Sequence, residues 1–525
     1  MLQQESLVEY GFNRVIITIT AIMCALLEII DTTIVNVALN EMKGNLGATL
    51  NDVSWVITSY AIANVIIVPM TSWLSQQFGR RNYFAASILT FTIASFLCGN
   101  ATSIWELIIF RFIQGMGGGA LLVTSQTIIT EVYPSEKRGM AQALYGMGVI
   151  VGPTLGPPLG GYIVDNFSWP YIFYINIPIG IIATFLTLQY VKSPNYGEKR
   201  KASEVDWWGI IFLIMAVGSL QYVLEKGQEN DWFEDPTIIT FAIISFFGIY
   251  FFIWRELVAK HPIVDLRVLK NKNLAIGTVL SFILGFGLYG STFVIPLFTQ
   301  NSLGWTALQA GLLLVPSSLA TGFMMPFVGT AVQKGVPSKY LISLGFSIFF
   351  GYSLWAYTII TPFTGESDFF FVLMLRGVGL GFLFVPTTTM ALSTLKGKEV
   401  GQGASFTGMV RQLGGSFGIA LISTFISRQS TMHRANLINH LSPYDANVQQ
   451  RLEGMKTNFL SHGSTVDHAT QQANQLMEGM ATQQAMLLTY MDVFLYIGIF
   501  FLFCVPFVLM LKPTKVKIDV SQAAH

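Results

Sequence analysis

Two carboxylic acids lie in the middle of a stretch that otherwise suits lipid. Residues 15–39 are predominantly hydrophobic yet carry Glu28 and Asp31, three positions apart. On a helix that spacing sets both acids on one face, with Thr32 beside them. The run is about long enough to cross the ~30 Å hydrocarbon core of a bilayer. An ionised carboxylate at that depth costs at least ~2.5–3.5 kcal/mol, so such groups face a cavity or a charged partner. A buried acid without full compensation holds its proton more tightly and exchanges it near neutral pH. The chemistry these residues offer is proton exchange, and the helix reads as the proton site of a transporter.

Cations at matching depth strengthen that reading. At the rise of a helix, Asp31 and Arg111 both fall roughly 9–12 Å inside the outer ends of their runs, so they can meet. Arg376 lies at similar depth in the twelfth run, Arg411 nearer the middle of the thirteenth, and Asp492 shortly inside the last. Static pairing that only ties helices together is the competing account. For Asp31 and Arg111 a functional role is favoured, because intramembrane ionisable groups are functional by default. For Arg376, Arg411 and Asp492, a candidate second-half charge network, the two accounts stand level.

The fifth run, GMGVIVGPTLGPPLGGYI, offers movement rather than acid–base chemistry. Pro153, Pro157 and Pro158 each remove a backbone donor and bend the helix. Gly148, Gly152, Gly156, Gly160 and Gly161 form a small-residue face that lets another helix approach closely. Together they predict a tightly packed, bent gating element.

Other chemistries are excluded or left without support. No G-x-x-x-x-G-K-[ST] phosphate loop occurs, so the chain does not hydrolyse nucleotide to drive its work. No nucleophile–base–acid set points to an enzyme. His261, His433, His440, His462, His468 and His525 all fall outside the apolar runs, which excludes a histidine relay in the membrane. None of them shares a metal-ligand spacing, and those between 427 and 485 read as solvated loop residues. Cys24, Cys98 and Cys504 sit within apolar runs and read as small core residues. A net charge of +1, without a basic patch interleaved with aromatics, argues against a nucleic-acid partner.

The elements that must position these residues are long apolar helices. With 525 residues, 52% of them hydrophobic and 11% charged, and a mean hydropathy of +0.55, the chain is an all-α polytopic membrane protein. Apolar runs number about fourteen, the last two near 400–426 and 486–511. The basic residues predict both termini on the cytoplasmic side: Arg14, Arg80, Arg81, Lys137, Arg138, the 192–201 cluster, the 255–272 cluster and the tail all fall in inside loops. RFIQGMGGGALL in the fourth run is echoed by RGVGLGFLFVP in the twelfth. That echo predicts two six-helix halves, 1–191 and 273–525, separated by a unit of two extra spans at 192–272. Such repeats place a substrate site between the halves near the midplane. Residues 427–485 are polar with helical apolar spacing, predicting two or three amphipathic helices. They form either a cap over the outer mouth or a docking surface for a partner.

At these residues the chain resembles the fourteen-spanner drug:proton antiporters of the major facilitator superfamily, EmrB/QacA type. DTTIVNVAL in the first run resembles that branch's signature, with Asn40 where Pro is usual. RFIQGMGGGA is similar to the superfamily's fourth-span motif, GPTLGPPLGG to its antiporter motif and FYINIPIG to a sixth-span signature. The resemblance implies that Asp31 is the proton-titrating acid, with Glu28 beside it, and that Arg111 is the coupled base. It implies that the fifth-span glycines and prolines are the gate, and that Gly79, Arg80 and Arg81 belong to a cytoplasmic loop motif. In SWLSQQFGRR, Gln76 stands where an Asp is usual and cannot supply a carboxylate to latch the loop to a neighbouring helix.

By that resemblance the chain exports small-molecule drugs against protons across a bacterial inner membrane, with no cofactor. It also implies a periplasmic adaptor, an EmrA-like membrane fusion protein, and an outer-membrane channel. Export of one specific metabolite, such as a fatty acid, siderophore or peptide, fits the same scaffold. A non-transporting receptor fits the buried acids and the bent fifth span poorly.

Overall fold

The computed structural model describes residues 7–194, 204–442 and 444–510. Most of the basic cluster at 192–201, the C-terminal tail and the side chain of Asn40 lie outside the described residues. Among the described residues there is no strand, and fourteen helices are long and apolar enough to cross a membrane. They are α1 (Gly11–Asn45), α2 (Leu50–Phe78), α3 (Arg80–Gly99), α4 (Ile104–Val132) and α5 (Arg138–Asn166). Next come α6 (Tyr171–Tyr190), α7 (Trp207–Lys226), α8 (Pro236–Val258), α9 (Lys272–Leu303) and α10 (Leu308–Gln333). The last four are α11 (Ser338–Ile359), α12 (Glu366–Leu392), α13 (Lys398–Asn439) and α14 (Val466–Met510).

Helices are what an apolar solvent demands, since every backbone donor there has to be paired within its own segment. Polar side chains mark where they begin. Thr49 and Asp52 form a reciprocal capping box at α2, Ser103 accepts from the Glu106 amide at α4, and Asp235 caps α8 just before Pro236. Gly79, at φ +83°, makes the sharp junction between α2 and α3.

The packing repeats with an offset of eight helices. In the first half α1 lies on α5, α2 on α4, and α3 on α4 and α6. In the second, α9 lies on α13, α10 on α12, and α11 on α12 and α14. The halves meet along α5–α10, α5–α12, α2–α13 and α4–α13.

α5 is the element held on both sides. Its glycine face carries α1: a Cβ on Gly148 would stand 2.9 Å from Ile22, one on Gly152 2.5 Å from Ile29, and one on Gly156 would overlap Thr33. Its other face carries the second half, where Gly139 packs on Gly329, Gly146 on Phe384, Thr154 bonds Ser318, and Gly311 sits under Pro157 and Pro158.

The two extra spans bridge the halves. Tyr222 of α7 stacks on Trp55 of α2 at 5.6 Å, and Lys226 bonds Ser54. On the other side Gln221 donates to Ser416 of α13 at 2.9 Å, and Trp232 donates to Thr424 at 2.9 Å. A π-helical turn, Ile214–Gly218, interrupts α7, and the Ser245 hydroxyl of α8 bonds the Ala216 carbonyl there at 2.9 Å.

Residues 427–485 are helical in three segments, in line with the two or three helices expected, but two of the segments are continuous with the neighbouring spans. α13 and α14 run on through most of this stretch, leaving one separate helix, Ala446–Ser461, packed chiefly on α14. The apolar pattern stops near 426 because the lipid-facing surface does, but no Gly or Pro occurs between 427 and 439 to stop the backbone there. The extensions are fastened by His433, which hydrogen-bonds Asp492 at 2.8 Å, and by an Arg434–Glu478 pair. His433 is therefore a partly buried, partnered residue rather than a solvated one.

The close packing of α5 on α1 makes a stability prediction. Gly156→Ala should lower the unfolding midpoint of the detergent-solubilised protein by the equivalent of about 1–3 kcal/mol. Gly44→Ala, at an exposed helical position with nothing within 4 Å of its Cβ, should leave the midpoint unchanged or raise it slightly.

Candidate functional site

The Asp31 carboxylate, 0% exposed, is enclosed by α1, α3, α4 and α6. One oxygen accepts from Arg111 Nη1 at 2.6 Å. The other accepts from Gln114 Nε2 at 2.8 Å and Asn176 Nδ2 at 2.9 Å. Arg111 in turn donates to the Val56 carbonyl and to Gln114 Oε1, and its guanidinium lies 4.1 Å from the centre of the Tyr60 ring. Ser95 accepts a further Gln114 N–H at 2.8 Å. Both charges are thus paired and hydrogen-bonded, which is what a low-dielectric interior requires of an ion pair.

Glu28, one turn away, points elsewhere. Its oxygens accept from Asn64 Nδ2 of α2 at 2.7 Å and from the Leu122 amide of α4 at 3.0 Å. The glycine run of α4 makes this possible. A Cβ on Gly115 would stand 2.5 Å from the Tyr60 carbonyl oxygen, and one on Gly119 2.7 Å from that of Asn64. Only at such separation does α2 deliver Tyr60 and Asn64 to the acids of α1.

The structure therefore brings Glu28, Asp31 and Arg111 into one site in the first half. Arg376, Arg411 and Asp492 do not form a second-half network. Arg376 is held by neutral acceptors alone: Ser291 and Ser317 at 2.9 Å, Thr292 at 2.5 Å and the Leu288 carbonyl at 3.4 Å. Arg411 lies at the seam between the halves, 5.3 Å from the Phe384 ring centre. Asp492 belongs to the α13–α14 extension, with His433 and Gln429. Shared depth did not bring these side chains together, because α12, α13 and α14 turn them toward different neighbours.

At the basic end of the bundle, Arg80 is buried and paired with Glu131 of α4, while the Arg81 amide donates to Ser193. Among the described residues Gln76 reaches only Ser72 of its own helix, at 3.2 Å. Contact with the second half is made by Ser72, 3.1 Å from where a Cβ on Gly401 would stand.

Sequence reasoning missed the neutral partners Asn64, Gln114 and Asn176, and the seam aromatics Tyr145 and Phe384. The amides left a signal. Each stands within an apolar run, and Gln114 follows Arg111 by one helical turn. Tyr145 and Phe384 left none, since nothing in an apolar run marks which aromatic meets the other half.

Comparison with known proteins gives consistent likenesses. A family profile described as Major Facilitator Superfamily matches residues 21–419. The chain is 34% identical over 501 residues to the fatty acid resistance protein FarB of Neisseria gonorrhoeae, covering 95% of this chain and 96% of that one. It is 34% identical over 516 residues to the multidrug export protein EmrB of Escherichia coli K12, covering 98% of each. In fold it is similar to the human organic anion transporter MFSD10 (TETRAN), with a TM-score of 0.54 at 14% identity over 79% of this chain and 94% of that one. A bacterial homologue of the lysosomal transporter Spinster gives 0.53 at 15% identity, covering 96% of this chain and all of the other.

The Asp31–Arg111 pair makes a second prediction. Arg111→Leu strands a buried carboxylate and should destabilise the protein by about 3–5 kcal/mol in equilibrium unfolding from mixed micelles. The double variant Asp31→Asn with Arg111→Gln should lose much less than the sum of the single changes, because neither charge is left alone.

Proposed function

The chain belongs to the major facilitator superfamily, and from that premise we propose that it is a proton-coupled antiporter exporting amphipathic, largely apolar small molecules. The observation that carries this reading is the pair of buried acids on α1, with Asp31 bonded to Arg111 at 2.6 Å and Glu28 one turn away, bonded to Asn64. Protonation of Asp31 removes the charge that holds Arg111, Gln114 and Asn176 together. Those partners sit on α4 and α6, so the proton's arrival loosens the packing of α1 within its half. The halves then rock about the α5–α10 and α2–α13 contacts, opening a central site to one side and then the other. The α5 stripe of Gly148, Gly152, Gly156 and Gly160, with Pro153 and Pro157, is the gate in this scheme, because it is held by both halves at once.

The protein lies in the bacterial inner membrane with its basic end, bearing Arg80, Lys137 and Lys334, in the cytoplasm. No cofactor is required, since the proton gradient supplies the work. A periplasmic adaptor of the membrane-fusion type and an outer-membrane channel complete the export route. The adaptor docks on the projecting helices of 427–485, where Ala446–Ser461 buries none of its residues. A more selective version of the same reading, export of fatty acids, is favoured by the similarity to FarB.

In proteoliposomes under an imposed pH gradient, wild-type protein should accumulate dyes from a broad panel, and Asp31→Asn should abolish this while remaining folded at the assay temperature, with an unfolding midpoint lowered by the stranded Arg111 charge. Gradient-driven transport by the variant at the wild-type rate would remove Asp31 from the coupling site. Deleting Ala446–Ser461 should leave transport in proteoliposomes intact but lower resistance in cells with an outer membrane. Equal resistance from the deletion and the wild type would exclude this helix as the docking surface.

A further inference from the structure

Arg411 is a buried cation that the proton site does not use. It is 5% exposed, and among the described residues it has no carboxylate within ion-pair distance. This sets it apart from Arg111, which holds Asp31, and from Arg376, whose guanidinium is occupied by three hydroxyls and a carbonyl. The contacts of Arg411 are the Tyr145 hydroxyl and the Phe384 ring face, one from each half of the molecule.

Its place at the seam follows from the backbone. A Cβ on Gly408 would stand 3.0 Å from Val123 of α4, and Arg411 follows on the same face of α13. The neighbouring Leu122 holds Glu28 through its amide and accepts from the Tyr145 hydroxyl at 3.1 Å through its carbonyl. Tyr145 lies 6.3 Å from Phe384, ring centre to ring centre, and the half-buried Tyr289 of α9 packs one turn further along α13, where a Cβ on Gly415 would overlap its ring. A guanidinium without an ion pair, rimmed by three aromatic rings between two bundles that separate during transport, is a site for an anionic head group on an apolar body.

Resting on the export reading above, we infer that Arg411 anchors the negative charge of an exported lipophilic anion, a carboxylate or phenolate, whose apolar body lies against Phe384, Tyr145 and Tyr289. A guanidinium meets a carboxylate through two parallel N–H donors, and an amide or a lysine does not reproduce that fork. Glu28, bonded to the Leu122 amide whose carbonyl holds Tyr145, is a carboxyl group within electrostatic reach of the anchor, so its ionised form opposes the incoming anion and weakens binding.

The test is equilibrium binding of 1-pyrenebutyrate to the full-length protein in nanodiscs, read by energy transfer from tryptophan to pyrene. The uncharged methyl ester provides the comparison. At pH 8 the acid is fully ionised. Wild-type protein should bind the acid more tightly than the ester. Arg411→Gln should weaken the acid at least about tenfold while changing the ester less than about twofold. Arg411→Lys should fall between, and Glu28→Gln should tighten the acid severalfold without moving the ester. If Arg411→Gln does not fold, Arg411→Lys and Glu28→Gln carry the same comparison. An acid-to-ester ratio unchanged in Arg411→Gln, or an unchanged acid affinity in Glu28→Gln, overturns the assignment. No gradient enters this measurement, so its failure is distinct from a failure of proton coupling, which the proteoliposome assay reads.

Discussion

An ionised carboxylate surrounded by lipid-soluble helices has to be met by donors at short range, and much of the first half is arranged to do this at Asp31. The three donors come from α4 and α6, so the charge on α1 ties three helices at one depth. Arg111 brings a positive charge that itself needs acceptors, which draws in the Val56 carbonyl and the Tyr60 ring from α2. Removing water from both groups is costly, and the cost is offset by the three donors that reach Asp31 and the three acceptors that Arg111 reaches. The first bundle is therefore specified by polar geometry at its centre as much as by apolar packing around it.

Glycine is how the backbone gets close enough. In α4 the run Gly115–Gly119 admits α2, and in α5 the stripe from Gly148 to Gly160 admits α1. Helices in lipid gain nothing from hiding apolar surface from one another, so close backbone approach and dispersion have to supply the association. The α5 stripe also fixes the rotation of α1, which decides that Asp31 faces α4 and α6 while Glu28 faces α2 and α4. A single stripe on the wrong side of α5 would turn the acids toward acyl chains.

The architecture was legible because its signals are long and redundant. Fourteen apolar runs, the basic loops and the eight-span echo each span many residues, and an error in one is corrected by the others. Asp31 and Arg111 were legible as a pair, since charge in an apolar run is rare and depth along a helix follows from counting. Partners that are neutral were not, because an amide in an apolar run, such as Asn176 or Gln114, signals a buried polar contact without naming its partner. Depth failed for Arg376, Arg411 and Asp492, since it fixes height in the bundle and leaves rotation about the helix axis free. The length of α13 and α14 was misjudged for a related reason: hydropathy reports where lipid ends, whereas a helix ends only where a cap, a glycine or a proline stops it.

That last point has a mechanical side. α13 is a single helix of 42 residues, about 63 Å long and roughly twice the thickness of the hydrocarbon core. It touches α2 and α4 across the seam at one end and carries the fastened projection at the other. An unbroken hydrogen-bonded rod does not absorb a tilt along its length. In the rocking scheme proposed above, a small swivel where it crosses the seam is therefore magnified in proportion to distance and would arrive at Asn439 as a sweep of several ångströms, making the far tip a pointer to which way the interior has swung.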